Sequence, residues 1–592
     1  MAETIQLIIN GKHYEAMKGQ TILQAAKMNG IYIPSLCYLE GVHQYGSCRV
    51  CMVEVQGFRT LVAACMVEAK DGMVIRTNSA RVRHARKMNI ELILSEHPQS
   101  CLSCGRNGSC ELQKLVAEQG IDHAHFKGSL RTAEMEIGLS ITRDTSKCIL
   151  CRRCVTICNE IQKVGVLNAQ NRGFKTFIGP AIGKHVSDVD CTNCGQCTLV
   201  CPVDALSETS SIDKVWDVLG NPDKHVVVQT APAVRVSIGE EFGLPAGTPV
   251  TGKLASALRQ LEFDEVFDTN FGADLTIMEE GSEFLSRAKA VLTGGHAALP
   301  LITSCSPGWV KFLEHRYAGL IPNLSTCKSP HMMEGAIIKS YYAEKAGIHP
   351  EDIFVVSIMP CTAKKFEIAR PEMMNGGLPN VDAVLTVREL AKMLREAGID
   401  FANLPDGEYD SPMGNGTGAA DIFGVTGGVM EAALRTVYEL VTGRELPFEK
   451  LRVLPIEGNR MIKKASLTFE NVLPEYAFLE GFTANVAVTS GFEGAGILMD
   501  EIASGKADYH FVEVMGCPGG CIVGGGQPRN YTLSKWHDRA QGIYHEDERK
   551  PLRKSHENPQ VKQLYAEFLG APLSHVSHEL LHTTYTDRSS IR

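Results

Sequence analysis

The chain is predicted to be a multi-domain protein of α+β and α/β folds, because its cysteines and its secondary-structure pattern divide it in two. Of its 592 residues, 44% are hydrophobic, which is enough for several cores. Fifteen of the 20 cysteines precede residue 202, in tight clusters. From about Thr209 onward, short apolar strands alternate with helix-patterned stretches, as they do in α/β domains.

Charge and the N-terminal sequence limit the kinds of partner and compartment. The net charge of −9 gives no reason to expect nucleic acid or an anionic membrane as a partner. No apolar run reaches about 18 residues, and the start (MAET) lacks the basic and apolar regions of a secretion signal. We therefore expect a cytoplasmic protein. In that compartment, clustered C-x-x-C spacings indicate metal rather than disulfides, with zinc as the competitor to iron–sulfur clusters.

Residues 1–79 are predicted to form a small ferredoxin-like domain. Two strand-forming stretches flank Asn10-Gly11, the strongest short-range signal of a β-hairpin. Four cysteines follow, two of them in a C-x-x-C pair just after a glycine: Cys37, Cys48, Cys51 and Cys65. A single cysteine, a glycine-containing loop, C-x-x-C and a distant fourth cysteine suit four thiolates around two irons. We interpret this pattern as a [2Fe–2S] site, with a zinc ribbon as the alternative.

Residues 80–130 are predicted to form a second cluster-binding domain. It begins with a basic, helix-patterned stretch that ends at Ser95, and the candidate ligands follow. Cys101, Cys104 and Cys110 have C-x2-C-x5-C spacing, and His97 lies four residues upstream. Three thiolates leave a four-ligand cluster one short, so we predict that His97 completes a [4Fe–4S] site. An imidazole in place of a thiolate removes a negative charge and should alter the potential. The alternative is an ordinary surface histidine near a helix end.

Residues 131–208 carry two near-identical cysteine runs, C-x2-C-x2-C-x3-C, at positions 148–158 and 191–201. This is the bacterial ferredoxin pattern, in which the fourth cysteine of each run serves the other cluster. One predicted [4Fe–4S] cluster has the ligands Cys148, Cys151, Cys154 and Cys201. The ligands of the other are Cys191, Cys194, Cys197 and Cys158. Asn159 replaces the usual proline after the first run, which leaves all eight thiolates in place.

Four predicted strands in residues 209–530 end in segments rich in cysteine, proline or glycine. These segments are TAPA at 230–233, TSCSPGW at 303–309, MPCTAKKFE at 359–367 and GCPGGCIVGGGQP at 516–528. Ligands in open α/β sheets lie outside the carboxyl ends of the strands, so the four ends predict one shared pocket. The glycines permit tight turns and close approach of the backbone to a bulky inorganic group. A disulfide between Cys517 and Cys521 is the alternative, which the other three strand ends disfavour.

Helices are predicted between these strands, at 275–289, 310–317, 333–345, 387–397 and 430–442. The glycine-rich connection at 414–428 contains neither G-x-x-x-x-G-K-[ST] nor G-x-G-x-x-G after a strand. We interpret it as a turn or packing segment and expect no nucleotide or flavin site in the chain.

The last three strand-end segments resemble the three signature motifs of [FeFe]-hydrogenases, and the cysteine clusters ahead of them match the long forms of that family. The first two cluster sites also resemble those of the large iron–sulfur subunit of respiratory complex I. The resemblance includes residues 531–592, where RKSHEN at 553–558 and HELLH at 578–582 are similar to the small-subunit segment. It is nearest to the catalytic subunits of NAD(P)-linked multisubunit hydrogenases, some of them electron-bifurcating. It implies a β-grasp [2Fe–2S] domain, a two-lobed α/β hydrogenase domain over 209–530, and reversible conversion of H2 to protons and electrons.

The resemblance further implies that the pocket holds an H-cluster, a [4Fe–4S] cubane joined through a cysteine sulfur to a di-iron unit. That unit carries CO, cyanide and a bridging dithiolate amine. Cys361, Cys517 and Cys521 match cubane ligands, and Cys521 also matches the bridging sulfur. The first motif departs from the family, which usually has two adjacent cysteines, because Ser306 follows Cys305. We expect Cys305 to ligate, with Ser306 or water carrying protons; unusual ligation and an altered or inactive site are the alternatives.

Other residues receive roles by the same resemblance. Lys364 is expected to pair with a cyanide, since a buried ammonium needs an anion. Pro232 and Ala233 should place a backbone donor near the other cyanide. Met359, Phe423 and Met515 are expected to shape an apolar wall, with plain core packing as the alternative.

A proton path is the last expectation for this part of the chain. Glu280 and Glu283 lie three residues apart on one predicted helical face. By resemblance they form a path with Ser325, and Arg287 lies near its outer end. Carboxylates can pass protons stepwise when burial raises their pKa. For the neighbouring Glu279 we expect a solvated acidic face, which is also the alternative for Glu280 and Glu283. Cys327 is interpreted as a small buried cysteine.

The expected partners are H2, protons, ferredoxin, separate flavin- and NAD(P)-binding subunits, and the maturation proteins that an organometallic cofactor requires. Two rival functions remain. A complex I large subunit would share the motifs of the first 208 residues but would lack cysteines at the later strand ends. A degenerate H2 sensor or electron-transfer protein is the other rival, which Ser306 keeps open.

Overall fold

The structure is a computed structural model whose chain divides into two compact units. The first unit is made of Met1–Ile161, Gly165–Val186 and Val200–Ser207, and the second of Gln162–Val164, Ser187–Leu199 and Glu208–Arg592. The described residues are 3–131, 135–446, 454–456, 459–529 and 532–590. Among them, no helix combines the length and the apolar character needed to cross a bilayer.

The first unit opens with a five-stranded mixed sheet in the order β2-β1-β5-β3-β4. Its strands are β1 Thr4–Ile9, β2 Lys12–Met17, β3 Met52–Val55, β4 Val62–Ala63 and β5 Met73–Arg76. The predicted hairpin at Asn10-Gly11 is confirmed, since β1 and β2 are antiparallel and both turn residues have positive φ. Helix α1, Ile22–Met28, begins with a capping box between Thr21 and Gln24 and buries its apolar side in the core of this sheet.

Short elements carry the remaining cysteine clusters. Two helices follow the sheet, α2 Ala80–Ser95 and α3 Glu111–Glu118, and the first confirms the helix predicted before the second cluster. The later elements are β6 Glu136–Ile137, β7 Ile141–Arg143, α4 Arg153–Thr156, β8 Asn168–Gln170, β9 Phe177–Gly179, α5 Gln196–Val200 and β10 Leu206–Glu208. Their brevity leaves loops, rather than regular elements, to present most of the thiols.

The second unit contains two larger sheets. The first is a parallel sheet in the order β12-β11-β14-β17. Its strands are β11 His225–Thr230, β12 Glu265–Asp268, β14 Ile353–Met359 and β17 Ala383–Thr386. The second has the order β13-β21-β20-β19-β18. In it, β13, β21 and β20 are parallel to one another, and β19 pairs antiparallel with both β20 and β18. Its strands are β13 Leu301–Ile302, β18 Leu454–Ile456, β19 Asn459–Thr468, β20 Thr483–Ser490 and β21 Phe511–Met515. The pair β15 Met374–Asn375 and β16 Leu378–Pro379 forms a small separate ladder.

Helices flank these sheets in the alternating pattern predicted from the sequence. They are α6 Ile212–Leu219, α7 Thr251–Gln260, α8 Thr269–Leu292, α9 Pro307–Arg316, α10 Pro330–Ile337, α11 Ala343–Ala346, α12 Ala363–Glu367, α13 Val387–Glu396, α14 Gly418–Asp421, α15 Gly428–Thr442 and α16 Phe492–Ala503. The helix predicted at 333–345 is not a continuous α-helix, because a π-helical turn at Ile338–Tyr342 separates α10 from α11. Helix α8 begins six residues before its predicted start, capped by the side chain of Asp268.

The C-terminal segment packs on α8 through buried polar contacts. Its helices are α17 Leu533–Arg549, α18 Pro559–Leu564 and α19 His575–Leu581. Asn558 Nδ2 donates to Asp274 Oδ2 at 2.8 Å, and the hydroxyl of Tyr565 donates to Glu279 Oε1 at 2.6 Å. Because a buried polar group left unpaired is costly, these bonds fix the segment against one side of α8.

Candidate functional site

A cavity of about 90 Å³ lies at the carboxyl ends of β11, β13, β14 and β21. The prediction that these four strand ends share one pocket is therefore confirmed. The predicted site residues on the cavity wall are Pro232, Ala233, Cys305, Ser306, Met359, Cys361, Lys364, Phe423, Met515, Cys517 and Cys521.

Four thiols face this cavity, those of Cys305, Cys361, Cys517 and Cys521, and all four cysteines are free of disulfides. Burial raises the pKa of every one of them, that of Cys521 to about 12. Such thiols do not ionise at neutral pH unless a Lewis acid takes the proton's place. Soft thiolate donors select iron–sulfur groups, zinc or Cu(I). The donor set therefore fits an iron–sulfur cluster chemically.

Two glycines of the third motif are needed for the close packing of the loop that carries Cys517 and Cys521. A Cβ at Gly524 would lie 2.2 Å from the carbonyl oxygen of Pro360. Gly520 has φ of +96°, and a Cβ there would lie 2.8 Å from the amide nitrogen of Thr426. Larger residues would push the loop away from the neighbouring strand ends. The glycine-rich sequence thus brings the cysteines of separate motifs to one cavity.

Lys364 is a buried cation beside the thiols. Its Nζ donates to the carbonyl oxygen of Cys305 at 3.1 Å and to Glu367 Oε2 at 2.7 Å. His331 Nε2 lies 2.8 Å from the same carboxylate oxygen. Burial alone would raise the pKa of Glu367, but Lys364 and His331 hold it at about 2. Burial and the nearby Lys364 lower the pKa of His331 to about 4, so its imidazole is neutral at pH 7.

Sequence reasoning assigned no role to Glu367 or His331. Glu367 is the last residue of the quoted MPCTAKKFE segment, three positions after Lys364, which is an ion-pair spacing on a helix. His331 carried no signal, because it meets Glu367 only through the fold. Both anchor the ammonium group at the wall of the cavity.

The hydroxyl of Ser306 is engaged with the third motif. Ser306 Oγ accepts a hydrogen bond from the amide of Gly516 at 3.2 Å, next to Cys517 in the chain. Gln196, which sequence reasoning missed, donates through Nε2 to Cys517 Sγ at 3.3 Å and to the carbonyl oxygen of Val523 at 2.7 Å. Its only sequence signal was its position between two cysteines of the second ferredoxin-type run.

The predicted proton-path residues lie on and beside α8. Ser325 Oγ donates to Glu283 Oε2 at 3.2 Å, and Arg287 forms an ion pair with Glu283 Oε1 at 2.6 Å. Glu279, Glu280 and Glu283 are all buried, so the solvated acidic face is wrong, both as the expectation for Glu279 and as the alternative for the other two. Arg287 also donates to the carbonyl oxygens of Ala298, Pro322 and Leu324, which places it at the outer end of this group.

Two buried carboxyls near the thiols hold protons more tightly than ordinary glutamates. Burial, with the charges of Glu283 and Glu513, raises the pKa of Glu280 to about 8, although a hydrogen bond to Ser325 opposes the rise. The charge of Glu280 in turn contributes to the raised pKa of the Cys305 thiol. Glu513, in β21, accepts from the amides of Gly427 and Met430, and burial raises its pKa to about 7. Sequence reasoning missed Glu513, which lies inside an apolar strand.

The first four cysteines converge within the first unit. Cys51 Sγ and Cys65 Sγ lie 3.4 Å apart, too far for a disulfide, and Cys48 Sγ accepts from the amide of Cys37 at 3.4 Å. Side-chain contacts with Cys48 and Cys65 lower the pKa of Cys37. This geometry brings together all four predicted [2Fe–2S] ligands.

His97 and its three cysteines also converge, around a second cavity of about 190 Å³. The cavity is lined by His97, Cys101, Cys104 and Cys110, together with Lys147 and Asp204. The His97 Nδ1 atom is buried and has no hydrogen-bond partner among the described residues. An unpaired buried nitrogen on a residue that lines a cavity with three cysteines fits a metal ligand better than a surface histidine.

A third, small cavity, of about 20 Å³, brings together one of the two predicted ferredoxin-type ligand sets. Cys148, Cys151 and Cys154 of the first run line it with Cys201, the last cysteine of the second run. This arrangement is the one that the crossed pairing of the two runs requires, and the ligand set stays a prediction. Cys158 belongs to the first compact unit and Cys191, Cys194 and Cys197 to the second, so that set stays a prediction.

Comparison with protein families gives five matches along the chain. Residues 224–525 match "Iron only hydrogenase large subunit, C-terminal domain", and residues 534–588 match "Iron hydrogenase small subunit". Residues 2–80 match a 2Fe-2S iron-sulfur cluster binding domain, and residues 147–205 a 4Fe-4S dicluster domain. Residues 86–125 match the NADH-ubiquinone oxidoreductase-G iron-sulfur binding region.

Curated relatives and a solved structure give the same grouping. The chain is 50% identical to NADP-reducing hydrogenase subunit HndD of Solidesulfovibrio fructosivorans, over 99% of this chain and 100% of that protein. It is 41% identical to iron hydrogenase 1 of Clostridium pasteurianum, over 98% and 99% of the two chains. A variant of [FeFe]-hydrogenase HydA1 from Chlamydomonas reinhardtii superimposes with a TM-score of 0.58 and 45% identity, over 64% of this chain and 99% of that one.

Proposed function

The chain belongs to the [FeFe]-hydrogenase family, in its long form with N-terminal iron–sulfur domains, and we propose a ligand set and a proton path for its interconversion of H2 with protons and electrons. The observation that carries the proposal is the convergence of four thiols and a buried ammonium on one cavity, with a raised-pKa carboxyl, that of Glu280, close enough to Cys305 to act on its thiol. We take residues 209–530 as the catalytic domain and 531–592 as the small-subunit-like segment.

The residues that would hold the cubane of the H-cluster are Cys361, Cys517, Cys521 and Cys305, and the sulfur of Cys521 would also hold the di-iron unit. All four face the cavity, and Ser306 is the residue that departs from the family pattern. An alkoxide is a poor ligand for a cubane iron, and the Ser306 hydroxyl already accepts a hydrogen bond from Gly516. This engagement favours Cys305 as the protein ligand from the first motif.

When bound, the H-cluster would supply Lewis-acidic iron and an amine base that split H2. The chain's own residues surround it with charge and apolar surface. Lys364 would pair with a cyanide, and its ammonium group is kept in the wall by Glu367. The backbone at Pro232 and Ala233 would supply a donor for the other cyanide. Met359, Phe423 and Met515 line the cavity and limit the access of water.

Protons are proposed to travel from Ser306 or a water molecule through Glu280, Ser325 and Glu283 toward Arg287. The raised pKa of Glu280, about 8, lets it hold a proton at neutral pH and release it near that pH, which suits a relay. The Ser325 hydroxyl contacts both carboxyls and can accept from one while donating to the other. Arg287 keeps Glu283 in place at the outer end.

Electrons are proposed to travel through one [2Fe–2S] and three [4Fe–4S] clusters in the N-terminal domains. The proposed domains are 1–79 for the [2Fe–2S] cluster, 80–130 for the cluster with His97, and 131–208 for the two ferredoxin-type clusters. The unpaired Nδ1 of His97 and the cavity shared by Cys148 and Cys201 support two of these ligand sets. The spacing of the second run supports the last.

The proposed electron partners are ferredoxin and flavin- and NAD(P)-binding subunits, in the cytoplasm. The likeness to an NADP-reducing hydrogenase subunit over the full length supports the NAD(P)-linked context. Maturation proteins would install the di-iron unit. The test is an H2-uptake assay with a dye acceptor on protein that carries a matured cluster. H2-dependent dye reduction supports the function, whereas a matured protein that reduces no dye would favour the degenerate-sensor alternative.

A further inference from the structure

The C-terminal segment brings a buried histidine, His582, to the outer part of the group of carboxyls on α8. His582 directly follows α19 and is 8% exposed. One ring nitrogen, Nε2, lies 3.2 Å from Glu279 Oε2, and the other, Nδ1, lies 2.7 Å from Thr326 Oγ1. Both nitrogens are therefore held in defined hydrogen bonds. Neither Glu279 nor His582 belongs to the proton path proposed above.

His582 is also close to Glu283, the outer carboxyl of that path. A ring nitrogen of His582, the Sγ of Cys327 and a carboxylate oxygen of Glu283 all lie within 4.8 Å of one another. A single water can bridge two polar atoms at such a distance. The amide of Thr326 donates to Glu283 Oε2 at 3.1 Å, so the residue that holds His582 Nδ1 also holds Glu283. The loop at 325–327 thus joins the two side chains.

Beyond His582 lies a route to solvent. The ring of His578, on the exposed side of α19, has its centroid 4.3 Å from that of His582. An imidazole can take a proton on one nitrogen while it releases the proton on the other, and its ordinary pKa lies near neutrality. His578 is exposed, so water can accept the proton there. Histidines 582 and 578 therefore connect a buried carboxyl with the surface.

The groups that face His582 favour an imidazole that can take up charge. Glu279 and Glu283 face it from α8, Cys327 from the loop, and His578 from α19. Burial alone would raise the pKa of Glu279, but hydrogen bonds from His582, Tyr565 and the amide of Leu573 hold it below its ordinary value. Glu279 is thus a carboxylate at neutral pH, within hydrogen-bond distance of His582 Nε2. Arg287, also on α8, is paired with Glu283.

We propose that His582 is a proton-relay residue that gives Glu283 a second exit to solvent, through His578, in parallel with the exit at Arg287. The inference rests on the proposed function, because it extends the proton path of that site. In each transfer a proton arrives at one ring nitrogen of His582 and the proton on the other nitrogen leaves, so the ring ends neutral. No electrons move in this step. The C-terminal segment would then be part of the proton machinery as well as of the fold.

The first test compares three histidine-to-glutamine variants of the full-length matured enzyme. H582Q keeps one donor for Glu279 and one acceptor for Thr326 but cannot relay protons. Closing one of two exits should lower H2-oxidation turnover at least about twofold, with partial recovery in added imidazole. H578Q should show a smaller loss. H575Q, an exposed histidine on the same helix, is the matched control and should match the wild type.

Unchanged turnover of H582Q across the pH range would overturn the proposal. A loss of turnover that imidazole does not restore, together with a lower unfolding temperature, would also overturn it, because that loss would be structural. A wild-type enzyme that consumes no H2 would instead overturn the proposed function. The two failures are therefore distinguishable, since the first requires an active wild type.

A second test does not depend on turnover. In ¹⁵N-histidine-labelled protein without the di-iron unit, the resonances missing from H582Q identify the ring of His582. A relay requires both ring nitrogens to exchange protons with water, so we expect hydrogen exchange at both nitrogens in the wild type and slower exchange in H578Q. A ring of His582 that keeps one N–H without exchange would exclude a relay.

Discussion

Replacing Glu280 by glutamine is expected to stabilise the protein while it stops proton transfer. Burial raises the pKa of Glu280 to about 8, whereas an unfolded glutamate has the ordinary value of 4.5. Between these two values the folded state keeps the proton that the unfolded state releases. The stability contributed by this group therefore falls as pH rises from 4.5 to about 8 and is constant above that.

The size of the effect follows from the pKa values. Each pH unit between the two pKa values corresponds to about 1.4 kcal/mol. At pH 7 the free energy of unfolding is therefore about 3 kcal/mol lower than it would be if Glu280 did not titrate. Glutamine has the same shape and does not titrate, so E280Q should remove this loss. E280Q keeps a side chain that can hydrogen-bond to Ser325 but cannot release a proton. Turnover should fall at least about 100-fold, the lower end for a positioned proton-transfer group.

Two assays on the full-length protein check this expectation. Thermal unfolding at pH 5 and pH 8 should show E280Q gaining stability over the wild type at the higher pH only. H2-dependent dye reduction should show the loss of turnover while the infrared bands of CO and cyanide stay unchanged. A difference in stability that does not depend on pH, or near-normal turnover, would refute the assigned protonation state and the role in the path.

Three further variants test the ligands and the buried charges. C305A should prevent assembly of the catalytic cluster, and CO and cyanide bands in the purified variant would exclude Cys305 as an essential ligand. K364M should destabilise the protein by about 3–5 kcal/mol, because it leaves the Glu367 carboxylate buried without its cation. Denaturant unfolding should show a smaller loss of stability in the double variant K364M/E367Q. Equal losses in the two variants would contradict the coupling between Lys364 and Glu367. The stability from Glu367 is present above pH 4.5 and lost toward pH 2, its folded pKa, so K364M should also weaken this acid dependence. H97C should keep its [4Fe–4S] cluster but lower the reduction potential of that cluster, since a thiolate adds negative charge. A redox titration followed by electron paramagnetic resonance measures this potential. An unchanged set of cluster potentials would show that His97 is not a ligand.

The sequence predicted those parts of the molecule in which spacing alone imposes geometry. The turn at Asn10-Gly11 follows from the backbone preferences of these two residues, and the structure has it. The spacing of the two cysteine runs places Cys201 with Cys148, and in the structure both line one cavity. The meeting of four strand ends at one cavity was predicted because each end carried the same unusual residue types. The split of these strands between two sheets was not assigned strand by strand, since an alternating pattern does not specify which strands pair.

The residues that sequence analysis missed act across long distances in the chain. Gln196 meets Cys517 over 321 positions, and His582 meets Glu279 over 303. Glu513 lies within a buried strand, where a carboxyl is unexpected unless the fold supplies its partners, here the amides of Gly427 and Met430. No local pattern encodes such contacts, so only the packed structure could identify them.

Infrared spectroscopy of the matured enzyme under H2 and then under N2, with metal analysis of the same sample, tests the central claim most directly. If Cys361, Cys517 and Cys521 hold an H-cluster, the spectrum has CO and cyanide bands that shift between the two gases, and iron is the bound metal. Zinc in the cavity, or a spectrum without those bands in protein that was matured in full, would contradict the account.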